Sequence, residues 1–387
     1  MVRTARVQPP FDDQPDPRLD RSIDPGAAGA VLTIDLAAIV ANYRLLRGRL
    51  GSADCAAVVK ADAYGLGAVR VAAALFRAGC RHFFVAHLTE GIDLRAALPA
   101  EAEIFVLNGL MPGAEALCLD AGLTPVLNSL AQVDGWTGLS RRIGRALPAI
   151  LQVDSGMARL GLSPAEVGRL VRDPARLAGI DLRAVMSHLA CADEPDHPAN
   201  RAQLAQFEAQ RRRLPPAPAS FANSSGIFLG PDYHFDLARP GAALYGVAPV
   251  PGAANPMRAV VRLDARVIQT REIAAGDAVG YGYAFRASGP TRIATLSVGY
   301  ADGWLRSVGR AGIAYVDDRA VPIAGRVSMD SLTLDISTLP ADMLKPGDFV
   351  ELLGSHQRID DVATAAGTIG YEILTSLGGR YQRRYLD

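Results

Sequence analysis

From Val31 to about Val247, short runs of apolar and β-branched residues alternate with longer segments rich in Ala, Leu and Arg. Brief apolar runs bounded by turn formers read as buried strands, and the longer segments, apolar along one stripe, read as helices. The candidate strands are VLTI (31–34), AAVVKA (56–61), HFFVA (82–86), EIFVL (103–107), TPVL (124–127), AILQVD (149–154), LRAVMS (182–187), SFANS (220–224) and DLARP (236–240). Alternation of strand and helix builds parallel sheets, because a parallel pair needs a crossover long enough to hold a helix. Roughly eight such units predict a (β/α)8 barrel of the TIM type, with a doubly wound sheet as the alternative.

After Pro249 the pattern changes. VPGAANP (250–256) has linker character, and short strands punctuated by Gly, Pro and Asp then take over: VVRLDARVIQT (260–270), RIATLSVGYA (292–301), IAYVD (313–317) and FVELLG (349–354). The expectation is an α/β barrel over 31–254 followed by a smaller, mainly β domain over 255–387. RRRLPPAPAS (211–220) reads as a helix end running into a proline-rich loop, with its arginines solvated. Residues 1–30 are rich in Pro, Asp and Arg and contain no apolar core of a signal peptide, so they read as a disordered tail on a cytoplasmic protein.

Composition narrows the function classes. A chain of 387 residues is long enough for two or three domains with their own cores. Its 40 basic side chains balance 40 acidic ones, which leaves no electrostatic footprint for nucleic acid or an anionic membrane and points to a small-molecule partner. No apolar run approaches the ~20 residues that span a bilayer. Cys55, Cys80, Cys118 and Cys191 are widely spaced, with no Cys-x-x-Cys pair and no histidine at zinc-ligand spacing, so free thiols and no metal centre are expected.

Lysine usage is the compositional oddity. Only Lys60 and Lys345 are lysines among the 40 basic residues. Lys345 lies in the turn LKPGD, whereas Lys60 ends the apolar strand AAVVK, at the end of a barrel where active sites are built. Arginine serves equally well as a surface charge, but only an amine that sheds its proton forms an imine with an aldehyde. A snorkelling lysine at a strand end is the alternative on these grounds alone.

Lys60-Ala61-Asp62-Ala63-Tyr64-Gly65 resembles the lysine segment of the alanine racemase family, and further segments match in that family's order to near the C-terminus. The resemblance implies the barrel-plus-β-domain fold, a pyridoxal 5'-phosphate cofactor held covalently by Lys60, and interconversion of L- and D-alanine that supplies D-alanine for peptidoglycan. It also implies site roles. Tyr64 reaches the cofactor phosphate. Arg159, in VDSGMARLG (153–161), contacts the substrate carboxylate and the cofactor's phenolic oxygen. His188, in SHLA (187–190), lies beside the pyridine. Ser224, with Asn223 orienting it, and the backbone amides of Gly241 and Ala242 bind phosphate, as does Tyr371. Arg239, in ARPGAALYG (238–246), faces the pyridine nitrogen and keeps it largely unprotonated, which makes the ring a weaker electron sink than an aspartate there would. In the second domain Tyr281 is the second base, Tyr300 lines the mouth of the substrate channel and the Met329 amide contacts substrate. One residue departs from the pattern: Gln152 stands where the family often has a carbamylated lysine, and a neutral amide can accept a hydrogen bond from Arg159 without neutralising it.

Racemisation removes a proton from one face of Cα and returns one to the other, so two acid–base groups flanking the carbon suffice. The resemblance implies Lys60 for the D-enantiomer and Tyr281 for the L-enantiomer, with the site shared between two chains of a homodimer. A phenol of pKa about 10 needs nearby positive charge to act near neutrality, and His188 with Arg239 is the expected source. A broader-specificity or serine racemase is the nearest alternative. A decarboxylase of the same plan would carry His-x-Gly-Ser and Cys-Glu-Ser-Gly-Asp segments, which are absent, and a single-barrel cofactor carrier would not need residues 255–387.

Overall fold

A computed structural model describes residues 27–387. The tail expected over 1–30 lies outside the described residues apart from its last four. Seven strands, Ala57–Val58, His82–Val85, Glu103–Val106, Thr124–Leu127, Leu147–Gln152, Ile180–Met186 and Ala219–Ser220, pair in that order, each parallel to the next. An eighth, Leu237–Ala238, closes the ring. It pairs in parallel with Asp54–Cys55, and the Val58 amide donates to the Pro240 carbonyl. On its other side the amides of Asp236 and Arg239 donate to the carbonyls of Ala219 and Ala222. The barrel expected from the alternating pattern is therefore present.

These strands carry near-continuous apolar runs because helices cover one face of the sheet and the packed barrel interior the other. Phe83, Phe84 and Val85 are buried in succession, as are Ile104, Phe105 and Val106. The outer helices are amphipathic: Ala68–Arg77 buries Val71, Ala72, Ala74 and Leu75, at helical spacing. Their starts are set by side chains. The Ser129 hydroxyl accepts the Gln132 amide before Leu130–Ile143, and Ser163 with Glu166 forms a capping box before Pro164–Arg172.

The second domain is built around the long strand Val261–Ile273, which pairs with Phe349–Leu353 and with Thr291–Leu296. Ile313–Val316, Arg319–Pro322 and Leu332–Asp335 extend the sheet, and two short helices, Ile359–Ala366 and Gly370–Ser376, interrupt the β pattern. One strand departs from expectation. VLTI forms Ala30–Asp35 as predicted, but it joins this second sheet, antiparallel to Val261–Ile273 and parallel to Gln382–Leu386. An apolar run specifies a buried strand without specifying its sheet. Asp35 then accepts the Ala38 amide at 2.7 Å to start helix Leu36–Arg49, so the chain passes from one domain to the other in a single step. One apolar cluster, from Leu32 and Ile34 through Phe83 and Leu151 to Leu263 and Leu353, runs through both units.

Candidate active site

Lys60 follows the strand Ala57–Val58, and the backbone after it takes an uncommon course. Ala61, Asp62, Ala63 and Tyr64 all have φ between 51° and 57° with ψ between 39° and 50°, a full turn of left-handed helix. Each L-residue in that conformation costs about 1–2 kcal/mol. The turn is held from several directions. Glu90 Oε1 accepts the Ala61 amide at 2.7 Å, and Asp62 Oδ1 accepts the Ala68 amide at 2.7 Å. From the last strand of the chain, Arg383 donates to the Gly65 carbonyl at 2.6 Å and Tyr385 to the Leu66 carbonyl at 3.1 Å. Gly65 has φ +83° and lies so close to the Leu374 carbonyl that a Cβ would sit 2.7 Å from its oxygen, which requires glycine there.

The turn brings Lys60 and Tyr64 to a single cavity of about 680 Å³ at the C-terminal end of the barrel strands. Arg159, His188, Asn223, Ser224, Arg239, Gly241, Ala242 and Tyr371 also line it, so ten of the residues singled out from the sequence converge on one space. Ser224 Oγ accepts the amides of Gly241 at 2.9 Å and Ala243 at 3.2 Å, which fills its lone pairs and leaves its own hydroxyl proton to donate. The Gly241 amide is thereby already satisfied, whereas Ala242, the first residue of a 3-10 turn, keeps a free amide among the described residues. A Cβ on Gly241 would meet the Tyr64 hydroxyl at 2.4 Å, so glycine lets this backbone approach the phenol. Asn223 Oδ1 accepts the Gly226 amide at 2.8 Å, an Asx turn that presents Ser224. The Tyr64 ring packs against Tyr245, with centroids 4.8 Å apart and planes tilted by 35°, and the Tyr245 hydroxyl donates to the Val58 carbonyl.

Arg239 is only 3% exposed and bonds to neutral oxygens alone: Ser220 Oγ at 2.5 Å and the Ser187 carbonyl at 2.7 Å. Among the described residues no carboxylate pairs with it. Burial lowers its pKa to about 10, which leaves it charged at neutrality. His188 behaves oppositely. Burial, reinforced by the positive charges of Arg239, Arg159 and Lys60, drives its pKa down to about 3, so the ring is neutral. The expectation that His188 and Arg239 jointly supply positive charge is corrected on this point: Arg239 alone carries it. Burial and the Arg159 charge also lower the Lys60 pKa, against an opposing pull from Glu90.

Arg159 is exposed at the cavity rim and makes no hydrogen bond or ion pair with the described residues. Gln152 is buried on the cavity wall without bonding to it, so an Arg159–Gln152 hydrogen bond is not part of this arrangement. Tyr281, Tyr300 and Met329 stand apart from the cavity lining. Tyr281 is 69% exposed, and Tyr300 and Met329 are exposed as well. The Tyr300 and Ala301 amides donate to the Ser328 and Met329 carbonyls, which ties two of these loops together. Sequence reasoning missed Glu90, Asn108, Ser187 and Ser220. Ser187 and Ser220 fall inside runs read as strands, Glu90 and Asn108 read as ordinary polar residues, and no spacing sets any of the four apart.

Residues 34–249 match the family described as alanine racemase, N-terminal domain, and residues 260–385 match alanine racemase, C-terminal domain. The chain is 58% identical to a protein named alanine racemase, catabolic, from Mesorhizobium japonicum, over 94% of this chain and 95% of that one. It is 52% identical to an alanine racemase from Brucella canis, over 93% of this chain and 94% of that one. Among solved structures, an alanine racemase from Bartonella henselae with covalently bound pyridoxal phosphate superimposes with a TM-score of 0.90 at 45% identity, covering 93% of this chain and all of that one. An alanine racemase from Streptomyces coelicolor does so with a TM-score of 0.88 at 36% identity, covering 94% and 99%.

The lowered Lys60 pKa gives a pH prediction. An amine is nucleophilic only when unprotonated, so acylation of Lys60, followed by peptide mass analysis across pH, should show a midpoint below the ordinary lysine value of about 10.4. Arg159→Gln removes a positive charge that favours the neutral amine, so its midpoint should move up. A midpoint that stays put or moves down in that variant would contradict the assigned electrostatics.

Proposed function

The chain belongs to the alanine racemase family, and from that premise we propose how its own residues interconvert L- and D-alanine. The family's cofactor, pyridoxal phosphate, supplies when bound an aldehyde for the substrate amine and a ring that draws electrons from Cα. The residues present fit it. Tyr64, Ser224, Tyr371 and the Ala242 amide form a cluster of hydrogen-bond donors suited to phosphate. Arg239, charged and unpaired by carboxylate among the described residues, suits an unprotonated pyridine nitrogen, with neutral His188 beside it. Lys60 would hold the cofactor until the substrate amine takes its place, and its freed amine then takes or returns the Cα proton on the face that serves D-alanine. Arg159 orients the substrate carboxylate, with the Met329 amide as a further contact and Tyr300 at the channel mouth.

Tyr281 serves as the base for L-alanine and reaches the site from a second chain. The observation that carries this reading is the separation within one protomer: Lys60 lines the cavity, while Tyr281 lies on an open face outside it. A head-to-tail homodimer brings that face to the partner's cavity and buries the exposed Tyr281, Tyr283, Tyr300 and Met329. Barrel residues and those of 255–387 then meet in each site. Four free thiols, Cys55, Cys80, Cys118 and Cys191, suit a reducing compartment, and we place the enzyme in the cytoplasm.

Two enantiomers have equal free energy in water, so the same site runs in either direction according to supply. We propose D-alanine for peptidoglycan as the product. The relatives from Mesorhizobium japonicum and Agrobacterium fabrum, both named catabolic, favour a second reading in which alanine is drawn into breakdown.

Three outcomes are expected. Borohydride treatment of the holoenzyme should fix the cofactor on the peptide containing Lys60; label on Lys345, or none, would remove Lys60 from its role. Lys60→Ala and Tyr281→Phe chains, each nearly inactive alone, should regain activity when mixed under conditions that exchange subunits, because one site of each mixed dimer then carries neither defect. Verified heterodimers as inactive as their parents would place both bases within one chain. Deletion of the gene in its host should create a requirement for external D-alanine; unimpaired growth without it, together with failure to grow on alanine as carbon source, would select the catabolic reading.

A further inference from the structure

Glu90 lies in the first turn of helix Leu88–Ala97, outside the cavity, and has no part in the chemistry described so far. Its carboxylate nevertheless accepts three backbone amides from two separate segments. Oε1 takes the Ala61 amide at 2.7 Å, while Oε2 takes those of Ala86 at 2.7 Å and His87 at 3.0 Å, just past the neighbouring strand His82–Val85. An ionised carboxylate suits this place, since hydrogen bonds to a charged acceptor are about twice as strong as neutral ones and the helix N-terminus favours negative charge. The grip falls on the residue immediately after Lys60, where the left-handed turn begins.

We propose that Glu90 is a positioning residue for Lys60: by tying the Ala61 amide to the end of the adjacent barrel strand, it fixes the start of the left-handed turn and so the direction in which the lysine enters the cavity. This rests on the reading of Lys60 as the cofactor lysine. The geometry separates two contributions. The reach across both segments depends on the length of the glutamate, whereas the negative charge beside Lys60, which favours its protonated form, depends only on ionisation. Glu90→Gln is isosteric but turns one acceptor into a donor facing an N–H, so it breaks one side of the grip and removes the charge. Glu90→Asp keeps the charge and shortens the reach.

The experiment uses holoenzyme. Borohydride labelling of the wild type first tests the reading of Lys60; absence of label there ends that reading and this proposal with it. Given label on Lys60, kcat and KM in both directions, thermal unfolding, and the pH midpoint of the bound cofactor's visible absorbance are compared among wild type, Glu90→Gln and Glu90→Asp. Misplacement of a reacting group by about an ångström costs up to about a hundredfold in rate, so both variants should lose roughly 10- to 100-fold in kcat with KM little changed. The absorbance midpoint should fall in Glu90→Gln and return toward wild type in Glu90→Asp. The proposal is overturned if folded, labelled Glu90→Gln keeps kcat within about twofold of wild type. It is equally overturned if kcat falls only in step with the folded fraction while the absorbance midpoint stays fixed in both variants, the mark of a merely structural carboxylate.

Discussion

Four consecutive L-residues from Ala61 to Tyr64 occupy the left-handed region, and the arrangement of the site depends on that turn staying in place. At about 1–2 kcal/mol per residue the conformation does not persist on its own merits. It is over-determined by groups from three parts of the chain: Glu90 from helix Leu88–Ala97, Asp62 within the turn, and Arg383 and Tyr385 from the final strand. What the strain secures is placement. Lys60 and Tyr64 both reach one cavity from a single turn, the amine near Arg159 and the phenol against Gly241.

The charges around the cavity follow one logic. Lys60, Arg159 and Arg239 are all basic and line the same space. Arg239 is anchored by neutral oxygens, so its charge is not spent on a carboxylate inside the protein, and Arg159 at the rim is likewise unpaired among the described residues. Such a cavity suits a ligand that brings its own negative charge, as a phosphate or an amino-acid carboxylate does. The same crowd of positive charge keeps His188 neutral and favours the unprotonated form of Lys60. A neutral imidazole can both donate and accept a hydrogen bond, which an imidazolium cannot.

Much of this was legible in the sequence, and the misses have physical reasons. Barrel strands announce themselves because both faces are buried, so HFFV and EIFV could hardly be anything else. VLTI gave the same signal yet belongs to the other sheet, since its partners lie at Val261–Ile273 and Gln382–Leu386, far along the chain. Lys60 stood out because an amine can do what a guanidinium cannot. The left-handed turn around it was invisible: Ala-Asp-Ala-Tyr holds no glycine and reads locally as the start of an ordinary helix. Glu90 reads as a helix-start acid, and only three-dimensional packing brings it to Ala61. The Gln152 and Arg159 side chains are chemically able to bond, but one is buried in the wall and the other is exposed at the rim.

The hydrogen bond from Arg383 to Gly65 spans 318 residues, which gives the site a place in time as well as in space. A ribosome adds about 5–20 residues each second, so the segment bearing Lys60 is made tens of seconds before the strand that clamps it. During that interval the barrel strands can pair with one another, but the strand Ala30–Asp35 still lacks its C-terminal neighbour and the turn lacks two of its restraints. The earliest part of the site is thus completed by a residue made 318 positions later. The placement of Lys60 rests on a strand of the second sheet as well as on the barrel that carries it.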